Sequence, residues 1–483
     1  MCGVVGAINV PNAFNAIISM MDALQYRGEN GSGIALGTYD GGFLWERTEF
    51  TVPDLIRKNS HHEFSNNSHG FFSGVGHNRY GTAGDKRSLD NTQPLFANMS
   101  WGKIFLSHNG DSPYMEEDRQ DLIKRGFVFH TTSDSELILH QIAIAGGNNS
   151  ILAIKKGLQA YRGTYALAML IQDKDGIKLV VARDPSGNRP LALGRFGGGF
   201  VVASENSAFE VVNASYIRDV LPGELIVISQ DKLTSTMIEI DKLSPKLPLA
   251  SCVYENIYFS LPSSVTFGIS VNEFRKELGR RLAGHFGHLV GPGDVITNVP
   301  DSSNAFAEGF CQAIHRELTS IMLRRHSTRS FTQESQAVIE GTLRRKFSFL
   351  RSVIEEILFR NPDTKFWIIE DSIVRGNTSR KITRVLRSFG VRFVGILSGA
   401  PPLIGPCKKG IDMESKEGKL IAARHILRNS DPDARAVAAE VEANFVGYQP
   451  LNDVYDAVSV FGKNPNNFCF GCFQNKEPIW GKW

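Results

Sequence analysis

Between residues 2 and about 235 the chain alternates short apolar runs with Gly, Asn and Asp, as in Gly3-Val4-Val5-Gly6-Ala7-Ile8, Tyr165-Ala166-Leu167-Ala168-Met169-Leu170-Ile171 and Leu179-Val180-Val181-Ala182. Apolar runs of this length bounded by turn residues predict strands, and their close succession predicts sheets packed with few helices. Two stretches, 13–25 and 134–144, carry helical spacing instead. The second follows Thr131-Thr132-Ser133, and Ser133 with Glu136 three residues later predicts a capping box. From about 255 onward the texture changes to longer amphipathic helices alternating with isolated strands. Helices are expected over 271–285, 305–318 and 379–389, the last closed by Gly390, and strands over 294–299, 365–369 and 391–397. That βαβ rhythm predicts a parallel sheet with ligands at the carboxyl ends of its strands. The pattern therefore divides the chain into a domain over 2–235, a Lys-, Leu- and Pro-rich linker over 236–254, a second domain over 255–460 and a tail over 461–483.

Composition narrows the partners. The 483 residues are 42 % hydrophobic and 21 % charged, which suits globular domains with sizeable cores. Lys and Arg number 53 against 50 Asp and Glu, a net charge of +3, so no global field points to nucleic acid or a membrane surface. No uninterrupted apolar run is long enough to span a bilayer and the first twenty residues lack a charged leader region, so a cytosolic setting is expected. Six cysteines in so long a chain do not make a disulfide scaffold. Cys469-Phe470-Gly471-Cys472 then reads as metal-binding or redox-active; a closed four-ligand site needs two more donors, for which Cys252 and Cys407 are candidates. Cys311, on an amphipathic helix, is expected in the core.

The candidate chemistry begins at Cys2. Removal of Met1 would leave a residue holding both a thiol and a free α-amine, a nucleophile with its own proton acceptor. Arg79, in His77-Asn78-Arg79-Tyr80-Gly81, can fork onto a carboxylate. Asp134 can hold an ammonium, and Asn109-Gly110 can offer amide donors to an oxyanion. These are the parts needed to hydrolyse glutamine. Met1-Cys2-Gly3-Val4-Val5-Gly6, Gln25-Tyr26-Arg27-Gly28-Glu29-Asn30-Gly31-Ser32-Gly33-Ile34, Arg79-Tyr80-Gly81-Thr82-Ala83-Gly84, His108-Asn109-Gly110 and Ser133-Asp134-Ser135-Glu136 resemble the class II glutamine amidotransferase domain. The resemblance implies an N-terminal-nucleophile αββα sandwich. Cys2 would be the nucleophile, Arg79 and Asp134 would grip the glutamine carboxylate and ammonium, and Asn109 and Gly110 would form the oxyanion hole.

In Phe366-Trp367-Ile368-Ile369-Glu370-Asp371-Ser372-Ile373-Val374-Arg375-Gly376-Asn377-Thr378-Ser379 an apolar strand ends in two carboxylates and a short loop enters a helix. Such a helix start offers N–H groups to an anion, and adjacent carboxylates can hold ribose hydroxyls or hydrated Mg²⁺. The string resembles the phosphoribosyl-pyrophosphate signature of type I phosphoribosyltransferases, with a doubly wound parallel sheet, and more closely that of the amidophosphoribosyltransferases. Val299-Pro300-Asp301-Ser302-Ser303, Tyr258-Phe259-Ser260-Leu261-Pro262-Ser263-Ser264 and Gly410-Ile411-Asp412-Met413 extend the likeness over nearly the whole chain. It implies Mg²⁺ at Ser302, Glu370 and Asp371, and substrate contacts from Glu370, Asp371, Ser372, Arg375, Gly376, Asn377, Thr378 and Ser379. Arg329, Arg344 and Lys346 would lie on a loop closing over pyrophosphate. Cys252, Cys407, Cys469 and Cys472 match the ligands of the [4Fe–4S]-bearing branch, with Zn²⁺ as the competing occupant.

Several positions depart from the family pattern. Glu370 stands for a usual Asp, Asn377 for Thr, Leu261 for Arg, His326 for Tyr, Ile339 for Arg, Thr342 for Gly and Asp111 for Asn. The expected activity is amide nitrogen transfer from glutamine to phosphoribosyl pyrophosphate, giving 5-phosphoribosylamine, the first step of purine synthesis. The alternatives are a divergent relative that delivers ammonia to another acceptor, and a non-catalytic descendant that binds nucleotides. The family resemblance also implies a homo-oligomer inhibited by purine nucleotides.

Overall fold

The computed structural model describes residues 1–58, 70–81, 87–229, 232–238, 248–325, 347–407, 409–411, 420–426 and 432–476. The strands of the first half are β1 (Gly3–Ile8), β2 (Ser32–Thr38), β3 (Phe43–Thr48), β4 (Phe71–Asn78), β5 (Leu95–Met99), β6 (Gly102–Asp111), β7 (Thr164–Asp173), β8 (Gly176–Arg183), β9 (Ala192–Phe196), β10 (Gly199–Ala203), β11 (Ser215–Asp219), β12 (Glu224–Ile228) and β13 (Leu233–Met237). They form two antiparallel sheets, β11-β9-β10-β1-β4-β2-β3 and β13-β12-β8-β7-β6-β5.

Apolar side chains alternating along these strands fill the space between the sheets, with Val4, Val75, Phe105, Leu170, Val181 and Val202 all buried there. The opposite face of the first sheet is covered by the helix Ala13–Ala23, whose Ile17, Met20 and Met21 pack on Ile34, Leu36 and Val201. Asn12 caps that helix by accepting the Asn15 N–H. The outer face of the second sheet is covered by the helices Ser135–Ala145 and Ser150–Ala160. The result is an αββα sandwich.

The capping box predicted at Ser133 is not formed. Asp134 is the N-cap, and the Glu136 carboxylate turns back to accept the N–H groups of His130 and Thr131 at 2.9 and 2.8 Å. Those two loop amides have no strand partner, so a buried carboxylate serves them better than it would serve the helix end. β13 runs two residues past the expected boundary at 235, and Ile238 is buried in the first domain's core.

Beyond a short strand β14 (Ser251–Cys252) and the hairpin of β15 (Val265–Thr266) with β16 (Ile269–Ser270), the second domain is built on β17 (Val295–Asn298), β20 (Lys365–Glu370), β21 (Phe393–Ser398) and β22 (Phe445–Tyr448). These four are parallel and adjacent in that order. Trp367 and Ile369 face the helices Val271–Phe286 and Asn304–Ala313, while Phe366 and Ile368 face Arg351–Arg360 and Asn377–Ser388. The sheet is thus covered on both faces, as its near-continuous apolar strands require. The helix expected over 305–318 ends at Ala313, where His315 adopts a left-handed φ of 53° and the Arg316 N–H turns back to Cys311 O.

Two strands, β18 (Met322–Arg324) and β19 (Phe347–Phe349), pair antiparallel. Between them lie His326, Arg329, Ile339, Thr342, Arg344 and Lys346, all outside the described residues. Near the other end β23 (Phe468–Cys469) pairs in parallel with β14, setting Cys252 opposite Cys469. No helix among the described residues is long and apolar enough to cross a membrane.

Candidate functional sites at two strand ends

Cys2 leads into β1, beside β4. The Tyr80 backbone holds its sulfur on two sides: the thiol faces Tyr80 O at 3.7 Å and the Tyr80 N–H points at Sγ at 3.5 Å. Asn109, near the end of β6, accepts the Cys2 N–H on Oδ1 at 3.3 Å. Its Nδ2 is buried with no hydrogen-bond partner among the described residues. A buried amide donor left open beside a nucleophile is what a developing oxyanion would fill, since leaving it unmatched carries a desolvation penalty. Gly110 follows, and a Cβ there would lie 2.0 Å from Thr164 O, so no larger residue fits the strand at this point.

Arg79 is buried, with its backbone pinned by Gly31 O and the Asn30 N–H. Gly28 lies against it: a Cβ at 28 would sit 2.4 Å from Arg79 C. Asp134, also buried, accepts the Tyr161 hydroxyl at 3.2 Å and lies 3.9 Å from His108 Nδ1. Burial holds His77 neutral, its ionisation pushed down to about 3, with Nε2 against His108 O. The five residues expected at the glutaminase centre are therefore gathered at adjoining ends of β1, β4 and β6 and the start of one helix.

Three residues of this region were not singled out in sequence. Arg27 donates Nε to Cys2 O at 3.0 Å, and its guanidinium forks between Glu205 and Glu255, all with fully buried side chains. Glu255 belongs to the second domain, so the carbonyl of the nucleophile is tied across the junction. Gln25-Tyr26-Arg27-Gly28 carried the signal, but an Arg in a short turn does not announce a partner 228 residues away. Met1 is 1 % exposed and packs in the second domain's apolar cluster with Cys252, Val253 and Phe274.

The second constellation lies at the carboxyl end of β20. Glu370 and Asp371 are both buried. Burial pushes the Asp371 carboxyl up, against the pull of hydrogen bonds from Ser302 and Ser372. Ser302 and Asp371, from different strand ends, thus meet. Tyr254 joins them through Ser372 Oγ at 2.8 Å. Gly376, at a left-handed φ of 72°, turns the chain into the helix Asn377–Ser388. Arg375 and Asn377 are exposed at this turn, Thr378 is half-buried, and Ser379 is buried with its hydroxyl donating to Glu370 Oε2 at 2.7 Å. Leu261 sits across the junction, its N–H donated to Glu205. A cavity of about 1060 Å³ opens beside β22, lined by Pro401, Pro402, Ala438 and Tyr448.

The four cysteines converge on the domain junction. Cys252 and Cys469 are neighbours across β14 and β23, and Cys472 O receives the N–H groups of Ile404 and Gly405, just before Cys407. Burial pushes the Cys252 thiol up to about 12 and raises those of Cys407 and Cys472. Lys409 Nζ lies 3.9 Å from Cys469 Sγ. The donor set suits a tetrathiolate centre, although among the described residues no group of three or more His, Cys, Asp or Glu side chains is already arranged to hold a metal ion. Cys311 is a buried core residue.

Together the αββα sandwich with its N-proximal cysteine and the parallel sheet with its acidic strand end define a glutaminase fused to a phosphoribosyltransferase-type domain. An amidophosphoribosyltransferase of Bacillus subtilis (strain 168) is 34 % identical over 99 % of this chain and 94 % of its own length, and one of Methanocaldococcus jannaschii is 31 % identical over 99 % and 98 %. The chain belongs to the amidophosphoribosyltransferase family. Arabidopsis thaliana chloroplastic amidophosphoribosyltransferase 1 is 33 % identical over 99 % of this chain and 78 % of the plant protein. Residues 77–211 match the family model described as a glutamine amidotransferase domain. The solved structure of glutamine phosphoribosylpyrophosphate amidotransferase from B. subtilis, complexed with ADP and GMP, superposes with a TM-score of 0.85 at 30 % identity, covering 100 % of this chain and 98 % of that one.

Proposed function

We propose that this chain hydrolyses glutamine at Cys2 and passes the ammonia to phosphoribosyl pyrophosphate, forming 5-phosphoribosylamine, glutamate and pyrophosphate. The observation that carries the reading is the open, buried Nδ2 of Asn109, whose Oδ1 accepts the Cys2 backbone N–H. Sγ attacks the side-chain amide carbon while Asn109 Nδ2 and the Gly110 N–H receive the oxyanion. The C–N bond breaks, ammonia leaves, and water clears the thioester to glutamate. Arg79 and Asp134 orient the substrate's carboxylate and ammonium. Proton transfer by the α-amine of Cys2 requires removal of Met1, because in the intact chain that nitrogen is an amide.

Ammonia then displaces pyrophosphate from C1 of the ribose. Glu370 and Asp371 would hold the ribose hydroxyls, and the turn 375–379 the 5′-phosphate. Mg²⁺, held by Ser302, Glu370 and Asp371, would neutralise pyrophosphate oxygens. The four cysteines would hold a structural [4Fe–4S] or Zn²⁺ centre, a reading supported by their convergence and by Lys409. A cytosolic homo-oligomer regulated by purine nucleotides is part of the same reading, supported by the nucleotides named with the B. subtilis structure.

One observation favours a different acceptor. The longer arm of Glu370 places Oε2 on the Ser379 hydroxyl, inside the turn that would cradle the phosphate. The test is release of glutamate and pyrophosphate by anaerobically purified protein with glutamine, Mg²⁺ and phosphoribosyl pyrophosphate, each omitted in turn. Strict co-dependence is expected. Glutamate without pyrophosphate would transfer the assignment to another acceptor.

A further inference from the structure

Arg189 is fully buried, and none of its three guanidinium nitrogens has a hydrogen-bond partner among the described residues. Its nearest carboxylate, Glu255, lies at 3.8 Å and is already forked onto by Arg27. A buried, always-charged group without a matched anion is costly, and proteins keep one where an anion arrives. The surroundings say where that anion would sit. Nη2 lies 3.4 Å from the place a Cβ would occupy on Gly410, three residues past Cys407. The turn carrying Arg189 also holds the strand of Cys252: Ser186 O and Asn188 O accept the Ala250 and Cys252 N–H groups, at 2.8 and 3.1 Å.

We propose that Arg189 is the built-in counter-cation of a tetrathiolate centre formed by Cys252, Cys407, Cys469 and Cys472, a positioning residue whose guanidinium, now paired only with Glu255 at 3.8 Å and without hydrogen-bond acceptors among the described residues, gains anionic neighbours when metal binding turns those thiols into thiolates. The inference rests on the metal-centre reading given above. Metal binding replaces each S–H by a metal–sulfur bond and releases the proton, so negative charge appears beside Arg189. The same contact joins the centre to the glutaminase half, since the Cβ position on Gly410 lies 2.8 Å from the carbonyl oxygen of Gly110. Lys409, with Nζ 3.9 Å from Cys469 Sγ, supplies a second cation.

The test begins with iron, sulfide and zinc content of the anaerobically purified full chain. Absence of all three overturns the metal-centre reading and this inference with it. With metal present, Arg189→Leu is expected to release it to a chelator about tenfold faster or more, the range typical of residues that support metal ligands from outside. If iron is the occupant, the midpoint potential should also move negative, because a nearby positive charge favours the reduced form. Wild-type release kinetics in a folded Arg189→Leu protein would overturn the role of Arg189 and leave the metal centre standing. Should that variant fail to fold, Arg189→Lys and Arg189→Gln decide: retention by Lys above Gln is required, and equal retention overturns the proposal.

Discussion

At the scale of single residues, the proposed glutaminase centre turns on one polar atom held open, Asn109 Nδ2. Asn109→Ala removes the free amide donor, and kcat for glutamine hydrolysis should fall about 10²–10³-fold with little change in KM, measured as steady-state glutamate release. Asp111, two residues on along β6, makes a pH-dependent prediction. Burial and the neighbouring Asp134 push its carboxyl up to about 7, although Arg189 and the Gly410 N–H pull it back. Between the ordinary Asp range and pH 7 the folded chain therefore retains a proton that the unfolded chain has lost. Its contribution to stability is present at low pH and is lost as pH rises toward 7. Asp111→Asn should remove that slope and stabilise the protein above pH 7, on the order of 1–3 kcal/mol, read from denaturation midpoints at pH 5 and pH 8. Cys2, Arg79, Asn109 and Asp134 were legible as residues because nucleophile, fork, amide donor and carboxylate are distinctive types. Arg27 and Arg189 were not, because their meaning lies in distant partners.

At the scale of elements, turns carry as much information as strands. Gly376 adopts a left-handed φ, and a Cβ there would lie 2.6 Å from Ile421 Cδ1 and 2.9 Å from Val441 Cγ1. Gly376→Ala should cost about 1–3 kcal/mol of stability and raise KM for phosphoribosyl pyrophosphate more than KM for glutamine, measured by denaturation and two-substrate kinetics. The strands and long helices were readable from periodicity, since both faces of the parallel sheet and the inner faces of the sandwich are buried. The ends of elements were less so. The helix expected to reach 318 stops at Ala313, where His315 turns left-handed and Arg316 N–H closes back on Cys311 O, and the Glu136 expected at a helix cap serves the loop amides of His130 and Thr131 instead, because at both places a local turn competes for the same groups.

At the scale of the whole molecule, the junction between domains is organised around buried charge. Arg27, Glu205 and Glu255 form a fully buried network that spans it, and Leu261 and Ser264 of the second domain also donate to Glu205. Glu255→Ala leaves Arg27 with one fewer buried carboxylate. A loss of about 3–5 kcal/mol is expected from the chain's denaturation midpoint, since breaking a buried pair strands the remaining charge. No periodicity could have revealed this network, which exists only once two domains built on different patterns meet.

The seat of Met1 sets an order of events. Its side chain lies in the second domain's apolar cluster and is 1 % exposed, so in the assembled molecule the peptide bond that masks the Cys2 amine is out of reach of any processing enzyme. In a chain that begins at Met1, a cut made from outside would have to come before the two halves close on each other, and a chain whose domains dock first would keep its amine masked until the junction reopens.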